Sequence, residues 1–527
     1  MISRMARVYP WLIALIPTVN YAANNPDQYG MGNLAFLVAA TTLGCAALYV
    51  LASLALRGRG ATALPAFITL LGVGWFFGYR RLAGILTGDA AHPPHLLLVP
   101  AALGLSVALV WWVRRRERLL DGLGRFLALM TALLVGYNAV RVGRDWFRGE
   151  SMVADSRLAR ELAEPIDGPA NPPQPLRDIY LIVVDEYANS GVLRERFGYD
   201  NRPFEDSLRA LGFYIPPVVR SNYLHTVLSL PSMLNSAHLA DLELELGAHA
   251  RHPRVPNYLL QQTRVARYLK DRGYEYVFFP SDWFHSTSDS PRADSVFHAF
   301  HGFDFMRAMS EGELERTVRG ITVLSYFDRT HHFEAEHVRR SLEGVAALAG
   351  TGTRPRFVFA HVLKPHEPYV FKHDCSVQPR QPEDDYAGLY IEQLKCVNRL
   401  LLATVRRIQS QSRVPPVILL QGDHGSKALQ AFAYPSPEEV PPQAARERFG
   451  AFGAYYLPGD GADAFGDTVT VVNVLGNVLR HYFGAHLPRS GDEQYISPAR
   501  FPYNFRKVDA RWLTGNGPVP SKAVAGR

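Results

Sequence analysis

Lysine is missing from the first 150 residues, although fourteen arginines and six acids lie there. Cysteine is scarce throughout, with three residues in 527. The formal charge of +7 therefore belongs to the arginine-only stretch. The remaining residues hold 42 basic against 43 acidic side chains, which argues against a nucleic-acid-binding surface on the larger part. Internal repeats and low-complexity segments are absent. The first apolar run lacks a small-residue cleavage site and further apolar runs follow at once, so it reads as a membrane span rather than a signal peptide.

Long apolar runs are concentrated in residues 1–150. They cover about 8–23, 32–56, 62–78, 94–113 and 124–140. The last four approach or reach the ~20 residues that cross a bilayer core, whereas the first is shorter and carries Pro10 and Pro17. Arg4 and Arg7, Arg57 and Arg59, and the cluster Arg114, Arg115, Arg116 and Arg118 fall on one side of a five-span arrangement. Positive charge marks that side as cytoplasmic, with Arg80 and Arg81 a local exception. An odd span number places everything after about residue 142 outside the cytoplasm. Cys45 sits in an apolar span. Cys375 and Cys396 lie in the outer part, where either a disulfide or two buried thiols would fit and the compartment favours the bridge.

Residues 151–177 read as a linker, broken by Pro165, Gly168, Pro169, Pro172, Pro173 and Pro175. A soluble α/β domain is expected over 178–500, followed by a loose tail over 501–527. Strands are predicted at Ile179–Val184, Tyr276–Phe279, Phe357–His361, Val417–Leu420 and Ala454–Leu457. Amphipathic helices are predicted at Phe204–Leu211, Arg264–Arg272, Phe333–Leu348 and Tyr390–Gln409. The alternation implies a mainly parallel sheet between helices, with ligands bound beyond the carboxyl ends of its strands.

Two of those strand ends are acidic. Tyr180-Leu-Ile-Val-Val runs into Asp185, and Val417-Ile-Leu-Leu-Gln-Gly runs into Asp423-His424-Gly425. Strand-end carboxylates and an adjacent histidine can share one cation, and Gly425 permits a tight turn. Taken singly, Asp185 also suits a turn or helix cap, and Asp-His-Gly also suits a solvated loop. Thr226, in Ser221-Asn-Tyr-Leu-His-Thr226-Val-Leu-Ser-Leu-Pro231, is a candidate nucleophile whose hydroxyl a cation would activate. It also suits an ordinary helix start. Neither His366-Glu367 nor His331-His332-Phe-Glu334-Ala-Glu336-His337 has the spacing of a helical zinc protease.

These motifs resemble the alkaline phosphatase superfamily, and within it the membrane-anchored sulfatase-like transferases, which include lipoteichoic acid synthases and lipid A phosphoethanolamine transferases. The resemblance runs from about Asp178 to Pro458 and includes Arg448-Phe-Gly-Ala-Phe-Gly-Ala-Tyr-Tyr-Leu-Pro458. It implies an alkaline-phosphatase-like α/β domain behind a helical membrane domain of about five spans. It also implies one catalytic cation held by Asp185, Thr226, Asp423 and His424, with Zn²⁺ or Mn²⁺ suited best and Mg²⁺ less so. Glu186, where many relatives have a small residue, is left out of that ligand set. His366, and after it His361, match a histidine that contacts substrate phosphate, and Lys364 is a candidate for neutralising phosphate charge. The motif of true sulfatases, Cys or Ser two residues before proline and an arginine beyond it, is incomplete. Ser229-Leu-Pro231-Ser-Met233 has no arginine, which disfavours sulfate-ester hydrolysis.

The resemblance further implies transfer of a phospho-alcohol, phosphoglycerol or phosphoethanolamine, from a membrane phospholipid to an envelope glycan or lipid. The location implied is a bacterial inner membrane, with the catalytic domain on its outer side. A phosphodiesterase that passes the group to water is the alternative in the same chemical class. A non-catalytic envelope-organising protein is the alternative from another class.

Overall fold

The computed structural model describes residues 7–513 except 26–28, 57–62, 91–92, 282–286, 288, 311 and 380–384. Arg4, Arg57 and Arg59 of the charge pattern, and the tail beyond residue 513, lie outside the described residues. The chain divides into two compact units. One holds residues 1–150 with 303–330, and the other holds 151–302 with 331–527.

In the first unit, all five apolar runs are helical: α1 (Tyr9–Asn24), α2 (Met31–Ala55), α3 (Leu64–Thr87), α4 (His95–Val113) and α5 (Glu117–Asp155). Three of them are long and apolar enough to cross a membrane: α2, α4 and, over Arg118–Asp155, α5. With 16 residues, α1 spans only ~24 Å at 1.5 Å per residue, less than the ~30 Å hydrocarbon core. The outward faces display large apolar side chains, among them Leu96, Val107, Phe126, Leu133 and Val140. Water would penalise such a surface, and lipid would not. Residues 303–330, expected within the soluble domain, pack instead with these helices. Met309, Leu314 and Val318 form one apolar cluster with Ala22, Leu34 and Leu37. Arg80 Nη1 donates to the carbonyl of Gly320 at 2.8 Å, so one of the two arginines that depart from the charge pattern has a partner in this segment.

The second unit is built on a six-stranded sheet: β1 (Ile179–Val184), β2 (Glu275–Phe279), β3 (Ser295–Val296), β4 (Arg356–Val362), β5 (Val417–Gly422) and β6 (Gly453–Tyr456). Its order is β3-β2-β4-β1-β5-β6, parallel except for the β5–β6 pair. β1, β4 and β5 are buried along their whole lengths, as unbroken apolar runs require when helices cover both faces. Side chains alternate between those faces. Tyr180, Ile182 and Val184 pack with Leu342 and Val345 of α7 (Thr330–Ala347) and with Val397 and Leu401 of α8 (Tyr386–Gln411). Ile179, Leu181 and Val183 pack against Leu234, Val265, Val474 and Val478 on the other face. The expected strands and helices form within a few residues of their predicted limits.

Cys375 and Cys396 are bonded, with Cα atoms 5.0 Å apart, tying the segment after β4 to α8. The stretch 501–513 is not loose. Arg506–Lys507 pairs antiparallel with Tyr495–Ile496, and Tyr503 is buried in an apolar cluster. The apolar and aromatic side chains of this short segment outweigh its high content of turn residues.

Ile182, fully buried at the centre of the sheet, tests this core. Ile182→Ala is expected to cost about 2–5 kcal/mol, the usual range for emptying a buried aliphatic site. Thermal unfolding of the full-length protein in detergent should show a correspondingly lower midpoint.

Candidate metal centre

Strand register brings the acids together. Val184 pairs with Val362 on one side and with Gly422 on the other, so Asp185 and Asp423 stand one residue beyond the same level of the sheet. The Asp185 amide donates to Val362 O at 2.9 Å, extending the β1–β4 ladder to the acid itself. Gly425 then turns the chain under the helix Pro442–Phe449, here α9. A Cβ at this position would stand 2.0 Å from Glu447 O. Glu447 fastens the turn, accepting from Ser426 Oγ and Ala428 N at 2.6 Å and from Leu429 N at 2.9 Å.

Asp185, Asp423 and His424 are buried, and one ligand atom from each lies within 4.8 Å of the other two. His424 Nδ1 faces its neighbour's carbonyl, Gly425 O, at 3.2 Å, which favours the tautomer whose Nε2 carries the lone pair. That nitrogen is 3.1 Å from Asp423 Oδ2 and 3.9 Å from Asp185 Oδ1. Thr226 opens the helix Thr226–Asn235, called α6 below, and its Oγ1 is 3.0 Å from the same nitrogen. The positive end of the helix dipole therefore lies at the hydroxyl, where an anionic group is favoured. All four residues assigned to the cation are thus adjacent.

The donor set fits a divalent cation. Asp185 Oδ1 and Asp423 Oδ2 are buried without a hydrogen-bond partner among the described residues, a costly state for carboxylate oxygens that a cation would relieve. Burial, and then the charge of Asp185, pushes the Asp423 carboxyl well above the usual carboxylate range. Burial opposes ionisation of Asp185 too, but His366, His361 and His424 hold its carboxyl below that range. Burial, reinforced by Arg448, lowers the pKa of His424 and keeps the imidazole neutral, as ligation needs. Two oxygens, one nitrogen and a hydroxyl suit Zn²⁺ or Mn²⁺.

Glu186, set aside at the level of sequence, is fully buried beside this cluster. Its φ of 64° is a strained, left-handed conformation for glutamate. Tyr390 Oη donates to its carbonyl at 2.8 Å, and Tyr386 Oη to its Oε1 at 3.3 Å. Its Oε2 lies 3.7 Å from His366 Nε2 and 4.0 Å from Lys427 Nζ, and Lys427 also pairs with Glu367. Burial lowers the pKa of His366, while Asp185 and Glu186 raise it. His361 Nε2 is 3.4 Å from Asp185 Oδ2, and its Nδ1 is 3.0 Å from Ser281 Oγ. His361 therefore stands against the carboxylate cluster.

Lys364 takes a different place from the one expected. It is fully buried, and its ammonium meets Glu334 Oε2 at 3.0 Å, Pro368 O at 2.9 Å and His366 O at 3.5 Å. These bonds use its donors to brace the loop that carries His366, and Glu334 neutralises its charge. Beside Lys427, the cationic side chain at the site is instead Arg448. Its Nη2 is 3.0 Å from His424 Nε2, its Nη1 is 3.6 Å from Glu186 Oε1, and its Nε donates to Leu224 O at 2.9 Å. Apart from the motif that begins at Arg448, the sequence around Arg448 and Lys427 does not distinguish them from solvated charges. The Arg448-Phe-Gly motif was the only pointer. His225, beside Thr226, faces Ser497 O at 2.9 Å, and burial lowers its pKa to about 4.

A family model described as Sulfatase matches residues 177–464. The chain belongs to the sulfatase family. It is a sulfatase-like enzyme of the alkaline phosphatase superfamily, as the motifs implied. No curated protein sequence matches the chain significantly. Similar solved structures include the C-terminal periplasmic domain of EptC from Escherichia coli in complex with Zn, at 10% identity, 65% coverage of this chain, 96% of that chain and a TM-score of 0.43. Another is the integral membrane lipooligosaccharide phosphoethanolamine transferase A (EptA) from Neisseria meningitidis, at 14% identity, 91% and 94% coverage and a TM-score of 0.38. A third is an alkaline phosphatase superfamily protein from Vibrio parahaemolyticus, at 12% identity, 66% and 82% coverage and a TM-score of 0.39.

Elemental analysis checks the donor set. Purified protein is expected to carry about one zinc or manganese ion per chain, and the double variant Asp423→Ala, His424→Ala to carry almost none.

Proposed function

We propose that this sulfatase-family protein transfers a phospho-alcohol, phosphoglycerol or phosphoethanolamine, from a membrane phospholipid to a hydroxyl of an envelope glycan or lipid. The observation that carries the reading is the Thr226 hydroxyl at a helix N-terminus, 3.0 Å from His424 Nε2 in a cluster with Asp185 and Asp423. The apolar helices that precede this domain in the chain support a lipid donor.

A divalent cation held by Asp185, Thr226, Asp423 and His424 would supply Lewis acidity, lowering the pKa of the threonine hydroxyl and offsetting phosphoryl charge. Thr226 Oγ attacks the phosphorus of the donor, the bond from phosphorus to the diacylglycerol oxygen breaks, and the proton lost by Thr226 is balanced by one gained on that oxygen. In the second half-reaction an acceptor hydroxyl attacks the phospho-threonine. The bond to Thr226 Oγ breaks, and the acceptor's proton restores the hydroxyl. The N-terminus of α6 offers backbone N–H groups to the phosphoryl oxygens. His366, close to Glu186, contacts the phosphate or the leaving group, and His361 holds Asp185 in place. The absent sulfatase arginine favours a phosphoryl over a sulfuryl substrate.

The proposed setting is a bacterial inner membrane crossed five times, with residues 178–500 as the catalytic domain on its outer side. Cysteine labelling from outside intact spheroplasts is expected to reach a cysteine placed at residue 300. Protection from the reagent would overturn the topology.

The chemistry is tested with phospholipid labelled in its head group. Thr226→Ala should lower turnover by roughly three orders of magnitude or more, as removal of a nucleophile does, while the protein stays folded. Label appearing on a glycan or lipid supports transfer, and label released as free phospho-alcohol marks a hydrolase. Full activity in Thr226→Ala would exclude the phospho-threonine route.

A further inference from the structure

The helical unit holds a partly open cavity of about 960 Å³, at the upper end of the ~300–1,000 Å³ range of small-molecule sites. Its walls come from α1 to α4 and from the 303–330 segment, all within one compact unit. Gly44, Cys45, Leu48, Val73, Leu103 and Phe327 illustrate its apolar lining. Polar side chains gather at one end. Tyr79 Oη lies 2.8 Å from His95 Nδ1, and the His95 ring meets Tyr326 edge-on at 4.7 Å. His95 is the first residue of α4, and Tyr79 lies about two turns before the end of α3. The polar cluster therefore sits towards the connection from α3 to α4, on the side where residues 303–330 join them. Aromatic side chains with polar tips suit the headgroup level of a bilayer.

We infer that this cavity binds a membrane phospholipid, with acyl chain between the helices and headgroup at the Tyr79, His95 and Tyr326 end. Two observations favour this occupant. Two of the wall helices, α2 and α4, are long and apolar enough to cross a bilayer, where acyl chains are the most abundant apolar ligand. Tyr79, His95 and Tyr326 form a polar cluster beside walls that are mostly apolar, matching an amphiphile better than a wholly apolar molecule. Residues 303–330 form part of the wall, with Arg80 bonded to Gly320 and Tyr326 Oη donating to Ala90 O at 3.3 Å. The site does not depend on the chemistry at Thr226.

Lipid analysis of the full-length protein after detergent exchange tests the inference. A Cβ built on Gly44 meets nothing within 4 Å, so Gly44→Phe directs a ring into the cavity. Gly104→Phe is the control, since a Cβ there also meets open space and the residue is not part of the lining. The native protein, Gly104→Phe and Thr226→Ala should each retain about one phospholipid, and Gly44→Phe roughly tenfold less. Equal retention in Gly44→Phe, or recovery of only detergent or free fatty acid from the native protein, would overturn the inference. If Gly44→Phe does not fold, native protein in vesicles of phosphatidylethanolamine bearing a mid-chain diazirine decides the matter. Crosslinks at Cys45, Val73 or Phe327 support the site. Crosslinks confined to outward-facing side chains such as Leu96 and Val107 overturn it.

Discussion

Asp185, Glu186 and Asp423 are buried next to one another, and after burial itself the charge of Asp185 disfavours ionisation of Asp423. The surrounding structure is organised around that repulsion. His361 and His424 flank Asp185, Arg448 reaches both His424 and Glu186, and Lys427 approaches Glu186 from the loop beyond the turn. These neighbours leave one oxygen of each carboxylate without a hydrogen bond among the described residues. A buried oxygen left in that state costs stability unless something positive meets it. A bound divalent ion would relieve that cost, and would thereby couple folding to metal loading through the same atoms.

The sheet makes this arrangement reproducible. Three parallel strands, buried throughout, end at one level, so backbone pairing rather than side-chain flexibility sets the separation of Asp185 and Asp423. Thr226 reaches the same point from a different element, as the first residue of a helix lying on the face opposite α7 and α8. A rigid strand pair and a helix N-terminus thus meet at one hydroxyl. This is the preorganisation that phosphoryl transfer requires, because the reaction is governed mainly by positioning and charge.

Elements carrying their signal in contiguous residues were legible in the sequence. The run Ile179–Val184 followed by acid, and Val417–Gly422 followed by Asp-His-Gly, predicted both strands and pointed to what stands at their ends. Lys364 was misread because a lysine beside His366 resembles a phosphate ligand, and its ion pair with Glu334 depends on how α7 crosses the sheet. Glu447, Arg448 and Lys427 were invisible as a group for the same reason: they meet through tertiary turns. Residues 303–330 fell within the expected soluble domain, because an apolar stripe such as Met309, Leu314 and Val318 does not name its partner. Glu186 could have been suspected from its place after Asp185, but its buried pose rests on tyrosines about 200 residues away.

Gly425 bears on how such a chain can diverge over generations. Any side chain there would place a carbon 2.0 Å from the carbonyl of Glu447, and that contact is with main chain, which no rotamer change relieves. Descendants could exchange one metal-binding side chain for another and still keep the turn. Replacing this glycine would first require α9 to shift, and α9 delivers Glu447 and Arg448 to the site. The least functionalised residue of the Asp-His-Gly triplet is therefore the one with the fewest single-step routes of inheritance away from it.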